Sequence, residues 1–201
     1  MKVLVVDTET TGLPKNFNIK AFDKPDNWPH IVSLSWAVLD TETMKIVESY
    51  SSYAKPEGWE IPAEATAIHG ITTEMAMANG ESLTNVIDMF MTAPCDIIVS
   101  HNANFDKNVI INAIVYDLKL PFESEETIIR EPFLCSMLAS VDICKIETRR
   151  GYKWPKLSEL YYHVFKKHLD VETEHDALYD TLNLAKVIQY SKELQTALGL
   201  V

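Results

Sequence analysis

The chain has 201 residues, of which 47% are hydrophobic, so it is long enough to form one globular domain with a sizeable core. Its formal net charge of -11 argues against broad electrostatic binding to nucleic acid or to an anionic membrane, because both attract basic surfaces. A local nucleic-acid site whose positive charge comes from bound metal ions is still compatible with this composition.

The cysteines and the chain start indicate where the protein acts. Cys95, Cys135 and Cys144 lack metal-like spacing and are predicted to be reduced, buried thiols. The short apolar run before Asp7 does not match a secretory signal, and no segment reaches the ~20 apolar residues of a membrane span. We therefore expect a soluble cytoplasmic protein without membrane contact.

The first part of the chain is predicted to form three strands and a long loop. Residues 2–7 read as a buried strand, and residues 14–30 are polar, contain three prolines and lack periodicity. A loop of that length inside a compact domain is often functional. Residues 31–40 and 45–54 are predicted to pair as a hairpin.

Helical patterns begin at Pro62. The segment PAEATAIHG has proline at its start and glycine at its end, which is typical of a helix. Residues 81–94 predict a second helix, capped by Ser82, with its apolar residues on one face. A buried strand at 95–102 precedes a further helix at 104–120, and this alternation is typical of α/β proteins.

The last third of the chain is predicted to be mostly helical. Residues 121–132 form a loop, and residues 133–144 read as a helix after a short extended piece. Residues 156–168 predict an amphipathic helix, and residues 175–195 predict one long closing helix. The order of elements predicts an α/β fold, a mixed central β-sheet flanked by α-helices, in a single domain over residues 1–201.

Acidic residues recur where the predicted elements begin or end. Asp7 and Glu9 follow a buried strand with one residue between them, so their side chains point to the same side. Asp106 lies one turn into a helix, and Asp180 lies five residues after His175 in the last helix. A lone Asp is usually a solvated surface residue. The hydrophobic strand, however, draws Asp7 and Glu9 toward the core, where they repel each other unless a cation lies between them.

Four carboxylates in one cleft suit two Mg²⁺ ions, because hard divalent cations take oxygen ligands, and Mn²⁺ is expected to substitute. Two such ions about 3.5–4 Å apart stabilise the attacking and the leaving oxygen of an in-line phosphoryl displacement. His175, with an ordinary pKa of about 6.5, is a suitable base for the attacking water. These residue types therefore predict phosphodiester hydrolysis.

Three motifs occur in a characteristic order: DTETTG at 7–12, SHNANFD at 100–106 and HDALYD at 175–180. They resemble the exonuclease motifs of the DnaQ-like (RNase T-like) 3′–5′ exonucleases, and the H-x4-D spacing of the third is that of the DEDDh branch. The resemblance runs from Val3 to about Ile188 and implies an RNase H-like fold. It also implies a catalytic set, with four metal ligands and a general base: Asp7, Glu9, Asp106, Asp180 and His175.

The resemblance further implies contacts with the terminal nucleotide. Thr10, Thr11 and Gly12 would offer hydrogen-bond donors to it, and Leu13 would wedge against the last bases. His69, in AIHGIT, would line the terminal-nucleotide pocket, although it is equally compatible with a structural role at a helix end.

Asn102 and Phe105 flank Asp106 and are predicted to belong to the same substrate site, with Phe105 packing beneath it rather than against a base. The other four histidines, His30, His101, His163 and His168, receive no role.

One segment is densely basic, RRGYKWPK at 149–156. Arg149, Arg150 and Lys153 are predicted to contact the substrate backbone, because interleaved cations and aromatic rings are typical of single-strand binding. The alternative is a solvated loop with Trp154 packed in the core.

The tail QTALGL resembles the short Gln-x-x-Leu peptides by which bacterial replication proteins bind a sliding clamp. Termination of a helix at Gly199 is the preferred interpretation.

The sequence thus predicts a metal-dependent 3′–5′ exonuclease that releases nucleoside 5′-monophosphates from DNA 3′ ends, preferably single-stranded, in proofreading or repair, with a DNA polymerase or a sliding clamp as partner. A 3′–5′ exoribonuclease and a non-catalytic module that binds nucleic acid or a polymerase stay open as alternatives, since no motif reveals recognition of a 2′-hydroxyl. A haloacid-dehalogenase-type phosphatase, with Asp7 as nucleophile, is disfavoured because the late acidic pair that it needs is missing from the sequence. Oligomeric state stays open.

Overall fold

The computed structural model describes residues 1–169 and 176–201. In this part of the chain the strands are β1 (Lys2–Thr10), β2 (Ile31–Asp40), β3 (Lys45–Tyr53), β4 (Ile97–Ser100), β5 (Phe133–Cys135), β6 (Glu147–Thr148) and β7 (Gly151–Tyr152). The helices are α1 (Ala63–His69), α2 (Thr73–Asn79), α3 (Leu83–Met91), α4 (Ala103–Asn112), α5 (Glu125–Ile128), α6 (Ser136–Ala139), α7 (Val141–Cys144), α8 (Leu157–Phe165), α9 (Ala177–Tyr190) and α10 (Lys192–Ala197). A 3₁₀ turn at Ala21–Asp23 and a π-helical turn at Ala113–Asp117 complete them.

The central sheet is mixed, as predicted, with the strand order β3-β2-β1-β4-β5. Strands β1, β2 and β3 are antiparallel neighbours, which confirms the predicted hairpin, and β4 and β5 are parallel to β1. The ladder between β1 and β4 ends at Val5, opposite Val99, whereas β1 stays paired with β2 as far as Thr10. Strand β1 is therefore longer than the predicted strand at 2–7, and its second half has no β4 neighbour.

Helices cover both faces of the sheet, because successive residues of a strand point to opposite sides. Leu4 and Val6 of β1 pack in a cluster with α3 and α4. Val3 and Val5 pack in a second cluster with α8, α9 and α10. By the same alternation, Asp7 continues the face that α9 covers and Thr8 continues the face that α4 covers.

The structure also differs from the predicted elements in several other places, among them the predicted helix at 133–144, which is two short helices, α6 and α7. Helix α2 was not predicted, although Thr72 caps it by accepting a hydrogen bond from the amide of Met75 at 3.2 Å. The predicted loop at 121–132 contains the single turn α5. The predicted closing helix is two helices, because Ser191 ends α9 and caps α10 by accepting from the amide of Leu194 at 3.2 Å.

The C-terminal tail packs onto the protein. Leu198 and Leu200 belong to the core cluster beneath α9, and the Gln195 amide donates to the carbonyl of Ile188 at 2.7 Å. A clamp-binding peptide must offer its Gln and Leu side chains to a partner, and here these side chains are buried. The tail therefore terminates a helix, with Gly199 in the left-handed region at φ 69°, as the preferred interpretation predicted.

The three cysteines are free, but each is half-buried, so the prediction that they are buried is wrong. Burial raises the pKa of Cys95 and of Cys144 to about 11, so these thiols stay protonated at neutral pH. No helix within residues 1–169 and 176–201 is both long and apolar enough to cross a membrane.

Candidate active site

Strand β1 brings two carboxylates to the face beneath α9. Asp7 and Glu9 lie opposite Ser35 and Ser33 of β2, in the stretch of β1 that no longer pairs with β4. Asp180 enters this space from the first turn of α9. One carboxylate oxygen from each of Asp7, Glu9 and Asp180 lies within 4.8 Å of the other two.

Helix α9 begins with a side-chain cap, and one of its side chains anchors it to the sheet. Asp176 caps the helix by accepting from the amide of Tyr179 at 2.9 Å. Thr181, next to Asp180, donates from its hydroxyl to the carbonyl of Ser35 at 3.2 Å. The Thr181 contact ties the first turn of α9 to β2 at Ser35, the cross-strand partner of Asp7.

Asp106 reaches the site from the opposite layer. Its Oδ1 accepts from the amide of Thr8 at 3.1 Å and from the hydroxyl of Thr8 at 2.8 Å. The amide of Thr8 is available because the ladder with β4 has already ended. Asp106 is 2% exposed and lies outside the close set of three, but its charge acts on Asp7 and on Glu9.

Asn102 positions Asp106 by turning the chain sharply between β4 and α4. Its backbone is left-handed, with φ 81° and ψ 54°, and it forms the N-terminal boundary of α4. This conformation is uncommon outside glycine, and asparagine is among the residues that tolerate it. Phe105 is half-buried and packs edge-on against Trp28, with ring centroids 6.0 Å apart, so its ring packs against the core cluster.

The carboxylates hold protons more tightly than free acids do. Burial, reinforced by the charges of the neighbouring acids, raises the pKa of Asp7 well above its usual range. Burial and the charge of Asp180 raise the pKa of Glu9 to about 8. Burial raises the pKa of Asp106 to about 7, although hydrogen bonds from Thr8 oppose the shift. Burial and mutual repulsion therefore both disfavour the ionised forms of these acids.

The donor set fits a hard divalent cation. Its ligand atoms are carboxylate oxygens, which Mg²⁺ and Mn²⁺ prefer. Within the described ranges, no Lys or Arg forms an ion pair with Asp7, Glu9 or Asp106. A cation bound between these groups would relieve both their repulsion and their burial cost.

His175, the predicted base, lies outside the described residues, as do 170–174. The described chain resumes at Asp176, four residues before Asp180.

Two clefts flank the carboxylates. The first, which we call the carboxylate cleft, has a volume of about 300 Å³ and is lined by Asp7, His101, Lys156, Leu157, Ser158, Leu169 and Asp180. The second, the hydroxyl cleft, has a volume of about 500 Å³ and is lined by Ser33, Ser51, Ser52, Tyr53, His69, Gly70, Ile71, Met75, Asn79, Glu81, Asp176, Ala177 and Leu178. Ser33 is the cross-strand partner of Glu9, so the hydroxyl cleft begins beside the acids.

Residues 10–13, which are predicted to contact the 3′-terminal nucleotide and which we call the 3′-end grip, form a tight turn after β1. The Thr10 hydroxyl donates to the carbonyl of Gly12 at 2.7 Å, so it shapes the turn and is not a free donor. Thr11 accepts from the amide of His30 at 3.1 Å and keeps its own hydroxyl hydrogen. Gly12 has φ 145°, which L-residues rarely adopt, and Leu13 is 75% exposed, as a wedge requires.

His69 does have the structural role that the sequence left open. Its Nδ1 accepts from the amide of Ile71 at 3.1 Å, just beyond the end of α1. His69 also lines the hydroxyl cleft, as does Asp176. His69 therefore both stabilises the chain beyond the end of α1 and lines the hydroxyl cleft.

The basic segment forms the hairpin β6–β7. Arg149 and Arg150 are exposed at its turn. Lys153 forms an ion pair with Glu159, an acid that lies just outside the segment and reduces its charge. Trp154 is 65% exposed, so the alternative that placed it in the core is wrong.

Three residues beside the site were missed in the sequence. Thr8 lies between the two predicted ligands, but its contact with Asp106 spans 98 positions and has no local signal. Lys156 was seen only as part of the basic segment, whereas it lines the cleft of Asp7 and Asp180. Asp176 could have been found as an N-cap, since an Asp precedes the periodic pattern of the last helix.

Solved structures share this fold. E. coli exonuclease I in complex with a dT13 oligonucleotide matches with a TM-score of 0.69 and 20% identity, over 98% of this chain and 42% of that chain. The zinc-bound complex of E. coli exonuclease I with single-stranded DNA gives 0.69 and 21%, with the same coverage of both chains. A 3′-exonuclease that recognises the 3′ end of a histone mRNA stem-loop gives 0.69 and 15%, over 98% of this chain and 83% of that chain.

These likenesses confirm the RNase H-like fold that the motifs implied, a mixed five-stranded sheet with flanking helices. The chain spans less than half the length of the exonuclease I chains. A search of curated protein sequences gave no match. The sequence profile of an exonuclease family, RNase T, matches residues 4–188. The chain therefore belongs to the RNase T exonuclease family.

Proposed function

We propose that this protein is a divalent-metal-dependent 3′–5′ exonuclease that removes nucleoside 5′-monophosphates from DNA ends. The observation that carries the proposal is the approach of Asp7, Glu9 and Asp180 to within 4.8 Å in a region that favours a cation. Membership of the exonuclease family gives this cluster its chemical context.

Asp7, Glu9 and Asp180, with Asp106 behind them, would hold two Mg²⁺ ions, for which Mn²⁺ would substitute. Bound there, the metal ions would supply charge that stabilises the oxygen of the attacking water and the leaving oxygen of the phosphodiester. The chain's own residues orient these groups: Thr8 fixes the carboxylate of Asp106, and Thr181 fixes the turn that carries Asp180. His175 would take the proton of the attacking water.

The terminal nucleotide would lie between the acids and the hydroxyl cleft. Thr11 offers a hydroxyl hydrogen and Leu13 an exposed apolar side chain on one side, and His69 lines the other. Arg149 and Arg150 would contact the phosphates of the strand farther from its end.

Single-stranded DNA is the preferred substrate, because clefts of about 300 and 500 Å³ accommodate a few nucleotides rather than a long duplex. Exonuclease I, whose exonuclease region shares this fold, is seen with single-stranded oligonucleotides. Proofreading or repair beside a polymerase is the corresponding cellular role, whereas the burial of Gln195, Leu198 and Leu200 gives no support to clamp binding.

RNA is the second candidate substrate. The hydroxyl cleft offers Ser33, Ser51 and Ser52 as polar partners for a sugar hydroxyl, and a 3′-exonuclease that recognises an RNA stem-loop shares the fold. Discrimination between DNA and RNA depends on such contacts with the 2′-hydroxyl.

The test is a time course on 5′-labelled single-stranded DNA, duplex DNA and RNA, in Mg²⁺, in Mn²⁺ and in EDTA. We expect a ladder of products shortened from the 3′ end, fastest on single-stranded DNA and absent in EDTA. Asp7→Asn should reduce the rate at least about 100-fold, since a metal contributes several kcal/mol to the barrier. Asp88→Asn, which changes an exposed Asp of α3, is the matched control. Intact substrates in both metals would leave the non-catalytic binding module as the better explanation.

A further inference from the structure

The long loop at 14–30 closes a pocket that the proposed catalytic steps do not use. The pocket, which we call the loop pocket, has a volume of about 370 Å³. Thr11 and Leu13 line it on the side of the proposed 3′-end grip, and Trp28, Asn112 and Tyr116 line it within the protein. Its volume is in the range of small-molecule sites.

The walls of the loop pocket are held by side-chain hydrogen bonds. Asn27 accepts from the amide of Asn16 at 3.1 Å and donates to the carbonyl of the same residue at 2.9 Å. The indole of Trp28 donates to the carbonyl of Ile19 at 2.8 Å. The Tyr116 hydroxyl bridges to the loop by donating to a carbonyl, that of Phe22, at 2.9 Å. These hydrogen bonds therefore give the loop a defined structure, and the loop forms one wall of the pocket.

Asn112 is the unusual member of the lining. It is 3% exposed, and its Oδ1 is shielded from solvent without accepting a hydrogen bond from any residue in the described ranges. Buried polar groups almost always have a partner, because an unmet acceptor loses its interaction with water. A ligand with an N–H donor would supply that partner.

The remaining lining combines aromatic rings with charged groups. Tyr116 offers ring surface beside the largely buried ring of Trp28, and His30 is fixed by a hydrogen bond between its Nδ1 and the carboxylate of Asp117 at 2.9 Å. Asp26 also lines the pocket. Lys15 lines the pocket and is exposed to solvent, where it is free to meet a phosphate. These groups are complementary to a nucleotide. The aromatic rings suit the flat base, the buried amide suits the hydrogen-bonding edge of the base, and the cation suits the phosphate.

We infer that the loop pocket binds one nucleobase of the substrate strand, upstream of the nucleotide that is removed. This rests on the proposed function, because Thr11 and Leu13 connect the pocket to the grip on the 3′ end. The Asn112 amide accepts from a ring N–H or an exocyclic amino group of the base, and Lys15 contacts the adjoining phosphate. The loop at 14–30 is thus a substrate-binding element.

The first test places a single abasic site at successive positions from the 3′ end of single-stranded DNA and measures the rate of removal of the terminal nucleotide. We expect a fall on the order of 10-fold at one upstream position and little effect at its neighbours, since a bound base contributes about 1–3 kcal/mol. In Asn112→Leu the abasic site at this position should lower the rate by only about 2-fold or less. The rate of each variant is compared with its own rate on the unmodified strand. Asn85→Leu, at an exposed Asn of α3, should keep the parent's profile. A flat profile in the parent would overturn the inference.

The second test measures binding of the strand in the absence of cleavage. 2-Aminopurine is placed at the sensitive position, and the strand is bound by Asp7→Asn in Ca²⁺. We expect a fluorescence change on binding at that position alone, and its loss when Asn112→Leu is added. Because Asn112 is buried, a thermal melt checks the fold, and Lys15→Ala, at an exposed position, should weaken binding of the same strand about 3-fold or more.

The two hypotheses fail differently. If the parent binds the strand with the expected fluorescence change but degrades nothing, the proposed exonuclease activity fails and the base site stands. If it degrades DNA but shows neither positional effect, the base site fails and the activity stands.

Discussion

Glu9 shows how a single carboxyl links ionisation to stability. Its pKa is raised from an unfolded value of about 4.5 to about 8. The ionised form is therefore disfavoured in the folded protein, and stability is lost as the pH rises from the lower value to the higher one and stays lost above it. In the absence of metal, Glu9→Gln should melt a few degrees higher than the parent at pH 8.5 and equally at about pH 3, where Glu9 is protonated in both the folded and the unfolded state.

Thermal melts in EDTA measure this difference. Glu48→Gln, at an exposed position of β3, is the control and should change nothing. A lower melting temperature for Glu9→Gln at pH 8.5 in EDTA would show that the side chain is stabilised by contacts rather than strained by charge.

Thr8 is a positioning residue whose role is separable from folding. Thr8→Val removes the hydroxyl that donates to Asp106 at 2.8 Å and keeps the shape of the side chain. We expect the Mn²⁺ concentration for half-maximal activity to rise about 10-fold, because groups that orient metal ligands commonly contribute 10- to 100-fold in affinity or activity.

Thr8→Ser, which restores the donor, should recover most of the parent's metal dependence. An equal loss in Thr8→Ser and Thr8→Val would point to packing of the methyl group as the cause instead.

At the scale of elements, the hairpin β6–β7 should bind the strand upstream of the active site. It continues through Trp154 to Lys156 in the carboxylate cleft, and His101 secures this passage through a 2.9 Å contact of its Nε2 with the carbonyl of Pro155. Trp154→Ala should lower kcat/KM on long single strands by about 10-fold, since stacking of one base contributes about 1–3 kcal/mol. A trinucleotide that cannot reach the hairpin should be cleaved at the parent's rate.

Arg149→Ala tests the phosphate interaction separately. We expect KM to depend less steeply on salt concentration in this variant. The slope of log KM against log salt concentration should change by about 0.7 for each phosphate that is no longer neutralised. Arg130→Ala is the matched control, because it lies before β5, at the end of the sheet away from the carboxylates. If the two arginines behave alike, the hairpin is not part of the binding path.

At the scale of the whole molecule, metal binding should stabilise the fold. A cation that binds only the folded state adds about 2.7 kcal/mol when its concentration is 100 times its dissociation constant. For a chain of this size that corresponds to a rise of about 5–10 °C in melting temperature. Differential scanning calorimetry at pH 8 with increasing Mn²⁺ measures it, and Asp7→Asn should show a much smaller rise.

Much of this molecule could be predicted from its sequence, because the signals are local. Apolar runs predicted β1 and the hairpin of β2 and β3, and the acids that follow predicted where the site lies. The missed features depend on partners far along the chain: Thr8 meets Asp106, and the loop at 14–30 meets Tyr116. Contacts between such distant residues depend on how the layers of the fold pack together, and a short stretch of sequence does not reveal that packing.

The early end of β4 has a further consequence. Continued pairing beyond Ser100 would occupy the amide of Thr8 and make the sheet more regular, but it would take the place of the Asp106 carboxylate. Asn102 prevents this by adopting a left-handed turn that a β-branched residue would disfavour by about 1–2 kcal/mol. The chain thus retains an incomplete sheet, and a substitution such as Asn102→Val that favours extended backbone there would exchange the geometry of the acidic cluster for a more regular strand.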